Sequence, residues 1–267
     1  MKKNIGILYI ATGRYTIFWE AFYKSMQQYF IPNYTKQYYV FTDAPTIYDS
    51  NNNTNIILIN DHAKGWPYDT LMRFHTFEKA KPYWSNCEFL FFFNANMLVM
   101  QTITDVEFLP NGNTDDGLLA TLHPGFYNSP RATYTYEQLQ TNSTAYIPSN
   151  QGLYYFMGGL NGGTLQAYTS LIASLKANVT TDINNNIIAL WHDESHLNKY
   201  LLNKNPKIVT AAYGYPEGAK LPLEKIILIR DKNKYGGHAY LRNQQEKINT
   251  WDIVKTKVKY YLKKLIN

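Results

Sequence analysis

Apolar runs that suit buried strands alternate with helical patterns over the first hundred residues. The strand-like runs are "NIGILYI" (4–10), "QYYVFTDA" (37–44), "TNIILIN" (54–60) and "FLFFF" (89–93). Over 15–30 and 69–84 the apolar side chains instead recur every three or four positions, as on one face of a helix. Strands that are buried on both faces read as continuous apolar runs. The alternation therefore predicts an α/β fold in which helices cover a mostly parallel sheet.

The pattern becomes irregular after residue 100. The segments 111–117, 121–137 and 141–152 read as long loops, which are usually functional in a compact domain. Further helices are predicted at roughly 163–176 and 193–203, and a late strand at 225–231. The segment "YYFMGGLNGGT" (154–164) carries two glycine pairs, which favour either contact with a bulky ligand or a tight turn.

Composition excludes disorder and a disulfide framework. The chain has 267 residues, of which 45% are hydrophobic and only 17% are charged, so a substantial core is expected. A single cysteine, Cys87, rules out an intramolecular disulfide and any cysteine-based zinc site. The first apolar run is short and breaks at Thr12 and Gly13, so we expect a strand there and neither a signal peptide nor a membrane span. These features predict a cytoplasmic protein.

Most of the net charge of +6 comes from the last 24 residues. Segment 244–267 contains six lysines against Glu246 and Asp252, and its apolar residues recur at steps of three and four. It is expected to form a basic amphipathic helix, which either touches the inner face of an anionic membrane or docks on the domain with a solvated lysine face. Because most of the surplus positive charge lies in this segment, the net charge does not predict nucleic-acid binding.

Polar residues follow two of the predicted strands where ligands of open α/β sheets collect. In "IATGRY" (10–15), main-chain groups are suited to the edge of a base and Tyr15 to its face. In "FFFNANM", Asn94 and Asn96 stand where aspartates would hold a divalent cation on a diphosphate. Neutral amides can hydrogen-bond a ribose or a phosphate but hold magnesium or manganese poorly. The alternative is that both amides only cap the end of the strand.

The segment "WHDESHLNKYLL" (191–202) concentrates reactive groups. Glu194 suits a carboxylate that faces a developing cation, Asp193 an acceptor for sugar hydroxyls, and Trp191 an apolar face for a sugar ring. His192 and His196 are four positions apart, which raises a zinc site, although the spacing of the glutamate departs from the zinc-protease motif. A third reading is an ordinary helix N-terminus, where acidic residues are favoured anyway.

Six stretches occur in the order found in glycosyltransferase family 6: "IATGRY", "FFFNANM", "TLHPGFY", "AYIPSNQGLYYFMGGLNGG", "WHDESHLNKYLL" and "HAYLRN". From about residue 5 to 243 the chain resembles this family, which includes the histo-blood-group A and B transferases and the α-1,3-galactosyltransferase. The resemblance implies a GT-A fold, with a Rossmann-like, mostly parallel sheet flanked by helices. It also implies one catalytic domain over 1–243, with a donor-nucleotide half to about residue 100 and an acceptor and catalytic half over about 101–243. The absence of an anchor and stem ahead of the first strand suggests a bacterial member.

The resemblance also implies roles for individual residues. Glu194 would be the catalytic carboxylate. The residues that would bind the donor are Ala11, Thr12, Tyr15, Arg73, Asn94, Ala95, Asn96, Met157, Gly158, Gly159, Asp193, Lys232, His238 and Arg242. Those that would bind the acceptor are His123, Thr135 and Trp191. Gly159 would leave room for an N-acetyl group on the donor sugar.

The implied reaction is transfer of N-acetylgalactosamine, or less readily galactose, from the UDP-sugar to the 3-hydroxyl of a galactose, with retention of configuration. The acceptor would be a fucosylated, blood-group H-like glycan. Because asparagines replace the metal-binding aspartates, we expect no metal and no other cofactor. The charge on departing UDP would instead be balanced by cationic side chains of the late loop, namely Arg230, Lys232, Lys234, His238 and Arg242. The alternatives are a weak or inactive relative that only binds UDP-sugar or glycan, and a zinc hydrolase built on the two histidines.

Overall fold

The computed structural model describes residues 3–243 and places a seven-stranded sheet at their centre. The strands of the chain are β1 (Asn4–Ile10), β2 (Thr35–Thr42), β3 (Ile56–Asn60), β4 (Phe89–Phe93), β5 (Met97–Val99), β6 (Leu118–Leu122), β7 (Phe156–Thr164), β8 (Lys207–Val209), β9 (Tyr215–Pro216) and β10 (Ile227–Ile229). The large sheet has the order β3-β2-β1-β4-β7-β6-β8. Within it β7 is antiparallel to both neighbours, and every other pair of neighbours is parallel.

Helices cover both faces of the large sheet. They are α1 (Trp19–Tyr29), α2 (Tyr68–Leu71), α3 (Arg73–Glu78), α4 (Asp105–Phe108), α5 (Leu165–Asn184), α6 (Asp193–Leu201) and α7 (Gly237–Leu241). Short 3-10 helices lie at Gly13–Phe18, Arg131–Thr133, Ala211–Gly214 and Lys232–Tyr235. The α/β fold with a mostly parallel sheet flanked by helices is therefore confirmed.

Alternate residues of the central strands pack into two different hydrophobic cores. In β4, Phe91 and Phe93 pack in the core that contains α1, while Leu90 and Phe92 pack in the core that contains α3 and α5. Successive side chains of a strand point to opposite faces, so a strand covered on both sides needs apolar residues at every position. This explains why β4 reads as an uninterrupted apolar run.

The register of β1 and β4 brings two loops to one edge of the sheet. The strands are parallel and Tyr9 lies opposite Phe93, so both chains leave the sheet at the same level. The residues that follow β1 therefore lie beside Asn94. A second sheet, of order β5-β10-β9, lies close to this edge, because β5 begins directly after Asn96.

The structure shortens or divides several predicted elements. The helix expected over 15–30 begins as a 3-10 helix at Gly13–Phe18 and continues as α1, and the one expected over 69–84 is divided into α2 and α3. The predicted helices at 163–176 and 193–203 are present as α5 and α6, and the predicted strand at 225–231 is present as β10. Segment 121–137, expected to be a loop, contributes its first residues to β6.

The glycine-rich segment is a central strand and not a turn. Gly158, Gly159, Gly162 and Gly163 all belong to β7. A Cβ added at Gly162 would lie 2.1 Å from Cδ1 of Phe91, so glycine at this position lets the aromatic side chain of β4 lie across the backbone of β7. Close packing across the strand, and not a change of chain direction, accounts for this second glycine pair.

Within residues 3–243, no helix has both the length and the apolar character that a membrane crossing requires. The basic helix predicted for residues 244–267 lies outside the described residues.

Candidate functional site

A pocket lies at the carboxyl edge of β1, β3 and β4, and we call it the edge pocket. Its lining residues are Ile10, Thr12, Tyr15, Asp61, His62, Lys64, Asp69, Thr70, Arg73, Thr76, Phe92, Asn94, Ala95, Lys232 and Arg242. The predicted donor-binding residues in this set are Thr12, Tyr15, Arg73, Asn94, Ala95, Lys232 and Arg242. The structure therefore brings together residues from both ends of the described chain.

At one end of the edge pocket, Tyr15 offers an aromatic ring. Nζ of Lys232 lies 5.3 Å from the centre of this ring, and burial raises the pKa of the Tyr15 hydroxyl. Ala11 lies behind, fully buried: its N–H donates to the carbonyl oxygen of Phe41, and its own carbonyl accepts from the Thr42 hydroxyl. The N–H of Ala11 is thus already engaged, and the parts of "IATGRY" that line the edge pocket are Ile10, Thr12 and Tyr15.

Asn94 and Asn96 take different directions at the end of β4. Oδ1 of Asn94 lies 3.4 Å from Nη2 of Arg73, and Asn94 lines the edge pocket. Asn96 is only 3% exposed, and its side-chain amide donates to the carbonyl oxygen of Arg230 at 2.6 Å. The remaining oxygen of Asn96, Oδ1, is buried and has no hydrogen-bond partner among the described residues.

This pair of side chains does not fit a divalent cation. Magnesium and manganese favour charged oxygen ligands, whereas each asparagine supplies one neutral carbonyl. The carbonyl of Asn94 faces a guanidinium, and the amide of Asn96 serves a backbone carbonyl. Elsewhere in residues 3–243, no three His, Cys, Asp or Glu side chains are gathered in a way that could hold a metal ion.

Several basic side chains lie in or near the edge pocket, close to Tyr15. Burial, with the nearby charges of Arg242 and Arg73, lowers the pKa of Lys232 to about 8. Burial and the charges of Lys232 and Arg242 lower the pKa of His238 to about 4. Nε of Arg242 lies 3.6 Å from Oδ2 of Asp69, a carboxylate that also lines the edge pocket. Cations that depress one another's pKa values in this way are typical of a site for an anion.

Two other cations of the predicted set have different partners. Arg230 packs its guanidinium on the rings of Phe18 and Tyr235 and donates to the carbonyl oxygen of Phe18. Lys234 is 60% exposed and pairs with Glu217. The expectation that these two help to balance the charge of a diphosphate is therefore not supported, because neither lines the edge pocket.

The carboxylates of α6 lie beside Arg73. Nη1 of Arg73 donates both to Asp193 and, at 2.7 Å, to the carbonyl oxygen of Gly158. Glu194 accepts from the N–H of Gly158 at 2.8 Å through Oε2, and from the hydroxyl of Tyr155 at 3.0 Å through Oε1. Both oxygens of Glu194 are thus fixed, one by a donor within β7 and the other by a donor from the residue just before it.

Burial changes the titration of both carboxyl groups. It raises the pKa of Asp193 to about 7, against the opposing effect of Arg73. Burial also raises the pKa of Glu194, and the hydrogen bonds from Gly158 and Tyr155 oppose this shift. A carboxyl group whose pKa is strongly perturbed, as that of Asp193 is, is characteristic of active sites when it lies next to a pocket.

The two histidines of α6 do not share a site. His192, the residue before α6, has a positive φ of 53°, packs against Trp66 and places Nδ1 3.2 Å from the Thr70 hydroxyl. His196 is fully buried, with Nδ1 3.4 Å from the Thr144 hydroxyl and Nε2 3.7 Å from Asp182. The rings face different partners, which does not support the zinc alternative.

The predicted acceptor residues fall into two places. His123 and Thr135 both contact Tyr155: the rings of His123 and Tyr155 pack edge to face, and the Thr135 hydroxyl donates to the Tyr155 hydroxyl at 3.1 Å. Trp191 is 38% exposed just before α6. Trp66, which was not predicted, is 45% exposed beside His192 and adds a second indole on this side.

Gly158 and Gly159 lie between the edge pocket and α6. A Cβ at Gly158 would lie 3.1 Å from Oδ2 of Asp193, and one at Gly159 would lie 2.7 Å from Nδ2 of Asn94. Met157 is buried, and the Cβ added at Gly159 would also lie 2.8 Å from Cε of Met157. These contacts place the predicted "MGG" segment against both asparagine and carboxylate groups.

Sequence reasoning missed several residues of the site. Asp61, Asp69 and Tyr155 were not selected, although Asp61 directly follows β3 and could have been found by the same edge-of-sheet argument that selected Asn94. Asp69 and Tyr155 carry no comparable signal, because their contacts are with residues far away in the chain.

The family model for glycosyltransferase family 6 matches residues 1–243. The chain belongs to this family. It is therefore a glycosyltransferase, and the predicted fold, family and class of enzyme are confirmed.

Curated relatives of this family 6 member come from bacteria and vertebrates. The O-antigen biosynthesis glycosyltransferase WbnI of Escherichia coli is 34% identical over 230 residues, which are 86% of this chain and 95% of that protein. The histo-blood group ABO system transferase 2 of Rattus norvegicus is 31% identical over 79% of this chain and 63% of its own length. The globoside alpha-1,3-N-acetylgalactosaminyltransferase 1 of Gallus gallus is 29% identical over 87% of this chain and 68% of its own length. Similarity to an E. coli enzyme fits the expectation of a bacterial member.

Proposed function

We propose that residues 1–243 form one catalytic domain that transfers N-acetylgalactosamine, and less readily galactose, from a UDP-sugar to the 3-hydroxyl of a galactose. The transfer is α-1,3, retains configuration and needs no metal. The acceptor is a fucosylated, blood-group H-like glycan. The names of the globoside and ABO relatives support this class of reaction.

One observation carries the proposal most directly. Glu194 is held by donors on both oxygens, next to an Asp193–Arg73 pair whose arginine lines the edge pocket. A carboxylate fixed in this way can face the cationic carbon that develops as the sugar leaves UDP. Retention is compatible with a covalent intermediate on Glu194 and with same-face attack on an ion pair that Glu194 stabilises. Both routes need the ionised carboxylate.

The departing diphosphate carries negative charge, which some group must balance. Lys232 and Arg242 line the edge pocket and can supply positive charge, whereas the nearby His238 is neutral because burial and their charges lower its pKa to about 4. Donors already fixed in a largely closed site stabilise a developing anion without reorganisation. In this proposal Lys232 and Arg242 act together with the amide of Asn94, in place of a bound cation.

The direct test is an assay in a chelator. Purified protein is incubated with UDP-N-acetylgalactosamine or UDP-galactose and a fucosylated galactoside, and a trisaccharide with an α-1,3 linkage is expected by mass spectrometry and NMR. Glu194→Gln keeps the shape of the side chain and removes its charge, so it should reduce turnover by orders of magnitude while UDP still binds. Loss of activity in chelator with recovery in manganese would contradict metal independence.

The same assay separates the transferase from a relative that only binds UDP-sugar or glycan. If calorimetry shows that UDP binds but no combination of donor and acceptor gives a product, the binding-only alternative is favoured. The arrangement of Glu194, Asp193 and Arg73 favours a working enzyme, because a protein that only binds has no need of a half-buried carboxylate with donors on both oxygens.

We also infer, from the charge pattern alone, that segment 244–267 brings a cytoplasmic enzyme to the inner face of a membrane. Sedimentation of the full chain with anionic vesicles, but not with neutral ones, is the expected result. Equal sedimentation of a variant in which the six lysines of this segment are replaced by glutamine would contradict it.

A further inference from the structure

Tyr155 joins Glu194 to residues on the acceptor side. Its hydroxyl donates to Oε1 of Glu194 at 3.0 Å and accepts a hydrogen bond from the Thr135 hydroxyl at 3.1 Å. The three side chains thus form a continuous chain of hydrogen bonds, in which each donor polarises the next. Thr135 is a predicted acceptor contact, and Glu194 is the proposed catalytic carboxylate.

The ring of Tyr155 is fixed by the 123–136 loop. It is 2% exposed and lies 4.7 Å from the ring of Phe126 and 5.4 Å from that of Tyr136, measured between centroids. Its backbone carbonyl accepts from the N–H of His123 at 2.9 Å. A side chain this deeply buried does not contact a substrate, so any influence on the reaction passes through Glu194.

We propose that Tyr155 is a positioning residue, which holds the Glu194 carboxylate in its orientation and links it mechanically to the 123–136 loop. This inference rests on the proposed function, because it takes Glu194 as the group that faces the sugar. Gly158 already holds Oε2, so Tyr155 is the side chain that decides where Oε1 lies.

The charge of Glu194 depends on the same contact. The charged or titratable groups that face it are Arg73 from α3, its neighbour Asp193 on α6, and the Tyr155 hydroxyl from the segment before β7. Burial raises the pKa of Glu194, while Gly158, Tyr155 and Arg73 lower it. Removing the Tyr155 hydroxyl takes this donor away from Oε1 of the half-buried Glu194, which favours the protonated acid.

The test titrates Glu194 directly. The carboxyl carbon signals of ¹³C-labelled protein are followed against pH, and the signal of Glu194 is assigned by its loss in Glu194→Gln. In Tyr155→Phe the pKa of Glu194 should rise by about one pH unit, and kcat should fall by about tenfold while KM for the UDP-sugar is unchanged. Thr135→Val should move the same pKa in the same direction by less, because it removes the donor to Tyr155.

Tyr136→Phe is the matched control. It also removes a tyrosine hydroxyl from this aromatic cluster, but that hydroxyl donates to the backbone carbonyl of Tyr154 and not to Glu194. The pKa of Glu194 should not change in this variant. An equal shift in Tyr136→Phe would show that loosening of the cluster is the cause, and would overturn the inference.

The two readouts separate this inference from the proposed function. If the wild-type protein transfers no sugar but the pKa of Glu194 still rises in Tyr155→Phe, the proposed function fails and the link through Tyr155 stands. If the wild-type protein transfers sugar and Tyr155→Phe changes neither the pKa nor kcat, the function stands and Tyr155 has no positioning role.

Discussion

The side-chain amide of Asn96 donates to the carbonyl oxygen of Arg230 at 2.6 Å, and the N–H of Arg230 donates to the carbonyl oxygen of Asn96 at 2.8 Å. The exchange ties the start of β5 to the end of β10 inside the protein. It requires a donor on the side chain of residue 96, and an aspartate carboxylate has none. The asparagine therefore has a structural role that an aspartate at this position would not fulfil.

Asn96→Asp should destabilise the protein without creating a metal site. The carboxylate would be buried against a carbonyl oxygen, at a cost of about 1–3 kcal/mol in the free energy of unfolding. Chemical denaturation measures this cost, and calorimetry with manganese should show no binding. Asn94→Asp is the control, because the new charge would lie next to the Arg73 guanidinium and should cost less. Asn96→Asp protein as stable as the wild type would contradict this interpretation.

UDP should bind more weakly as the pH rises above 8. The pKa of Lys232 is lowered to about 8 by burial, Arg242 and Arg73, and a bound diphosphate should raise it again. The complex then holds a proton that the free protein has lost, so affinity should fall by up to about tenfold for each pH unit above 8. Calorimetry in buffers of different ionisation enthalpy measures both the affinity and the proton uptake.

Variants of the two neighbouring lysines assign this effect. Lys232→Gln should weaken UDP binding and remove the pH dependence above 8. Lys234→Gln should preserve both, because Lys234 is exposed and pairs with Glu217. A pH dependence that survives in Lys232→Gln would show that another group titrates.

Much of the fold could be predicted from the sequence, because the middle residues of β1, β2 and β4 are buried on both faces and are apolar. The strands β6 to β8 were missed for a different reason. Position 162 of β7 is a glycine because the side chain of Phe91 occupies the space that a Cβ would take. Only the packed structure shows this neighbour. Local glycine chemistry pointed to a turn, and tertiary packing decided otherwise.

The site was predictable where its residues follow a strand or begin a helix. Asn94 and Glu194 stand at such positions, and both lie where the α/β argument and the family resemblance place a site. The Tyr155 hydroxyl and Asp69 were not predictable in this way. Tyr155 is 39 positions from Glu194, and Asp69 meets Arg242 from the other end of the described chain, so no local spacing records these contacts.

Transfer should slow as the pH falls below about 7. Burial raises the pKa of Asp193 to about 7, so the acid takes up a proton there and loses its ion pair with Arg73. The pKa values of His123, His192 and His238 are lowered to about 4, mainly by burial, so these side chains stay neutral through this range. The profile of kcat/KM against pH measures the effect. Because Asp193 and Glu194 adjoin, its acid limb belongs to the carboxyl pair.

Arg73→Lys tests the origin of this limb. A lysine keeps the positive charge but cannot donate at the same time to Asp193, to the carbonyl of Gly158 and toward Asn94 with the same planar geometry. Weaker pairing should move the acid limb to higher pH. A limb that is unchanged in Arg73→Lys would separate Asp193 from the pH dependence.

Gly159→Ala should change the choice of donor sugar. The added Cβ would lie 2.7 Å from Nδ2 of Asn94 and 2.8 Å from Cε of Met157, so it takes up space beside the residue that lines the edge pocket. The N-acetyl group is larger than the hydroxyl of galactose, so kcat/KM should fall more for UDP-N-acetylgalactosamine than for UDP-galactose. A methyl-sized change of this kind alters the ratio of the two kcat/KM values by about 10- to 100-fold. Competition between the two UDP-sugars measures that ratio directly.

Gly158→Ala is the control for this prediction. Its Cβ would lie 3.1 Å from Oδ2 of Asp193 and 3.3 Å from Cβ of Glu194, so it should slow transfer from both donors alike. A ratio that stays constant in Gly159→Ala would remove Gly159 from donor selection.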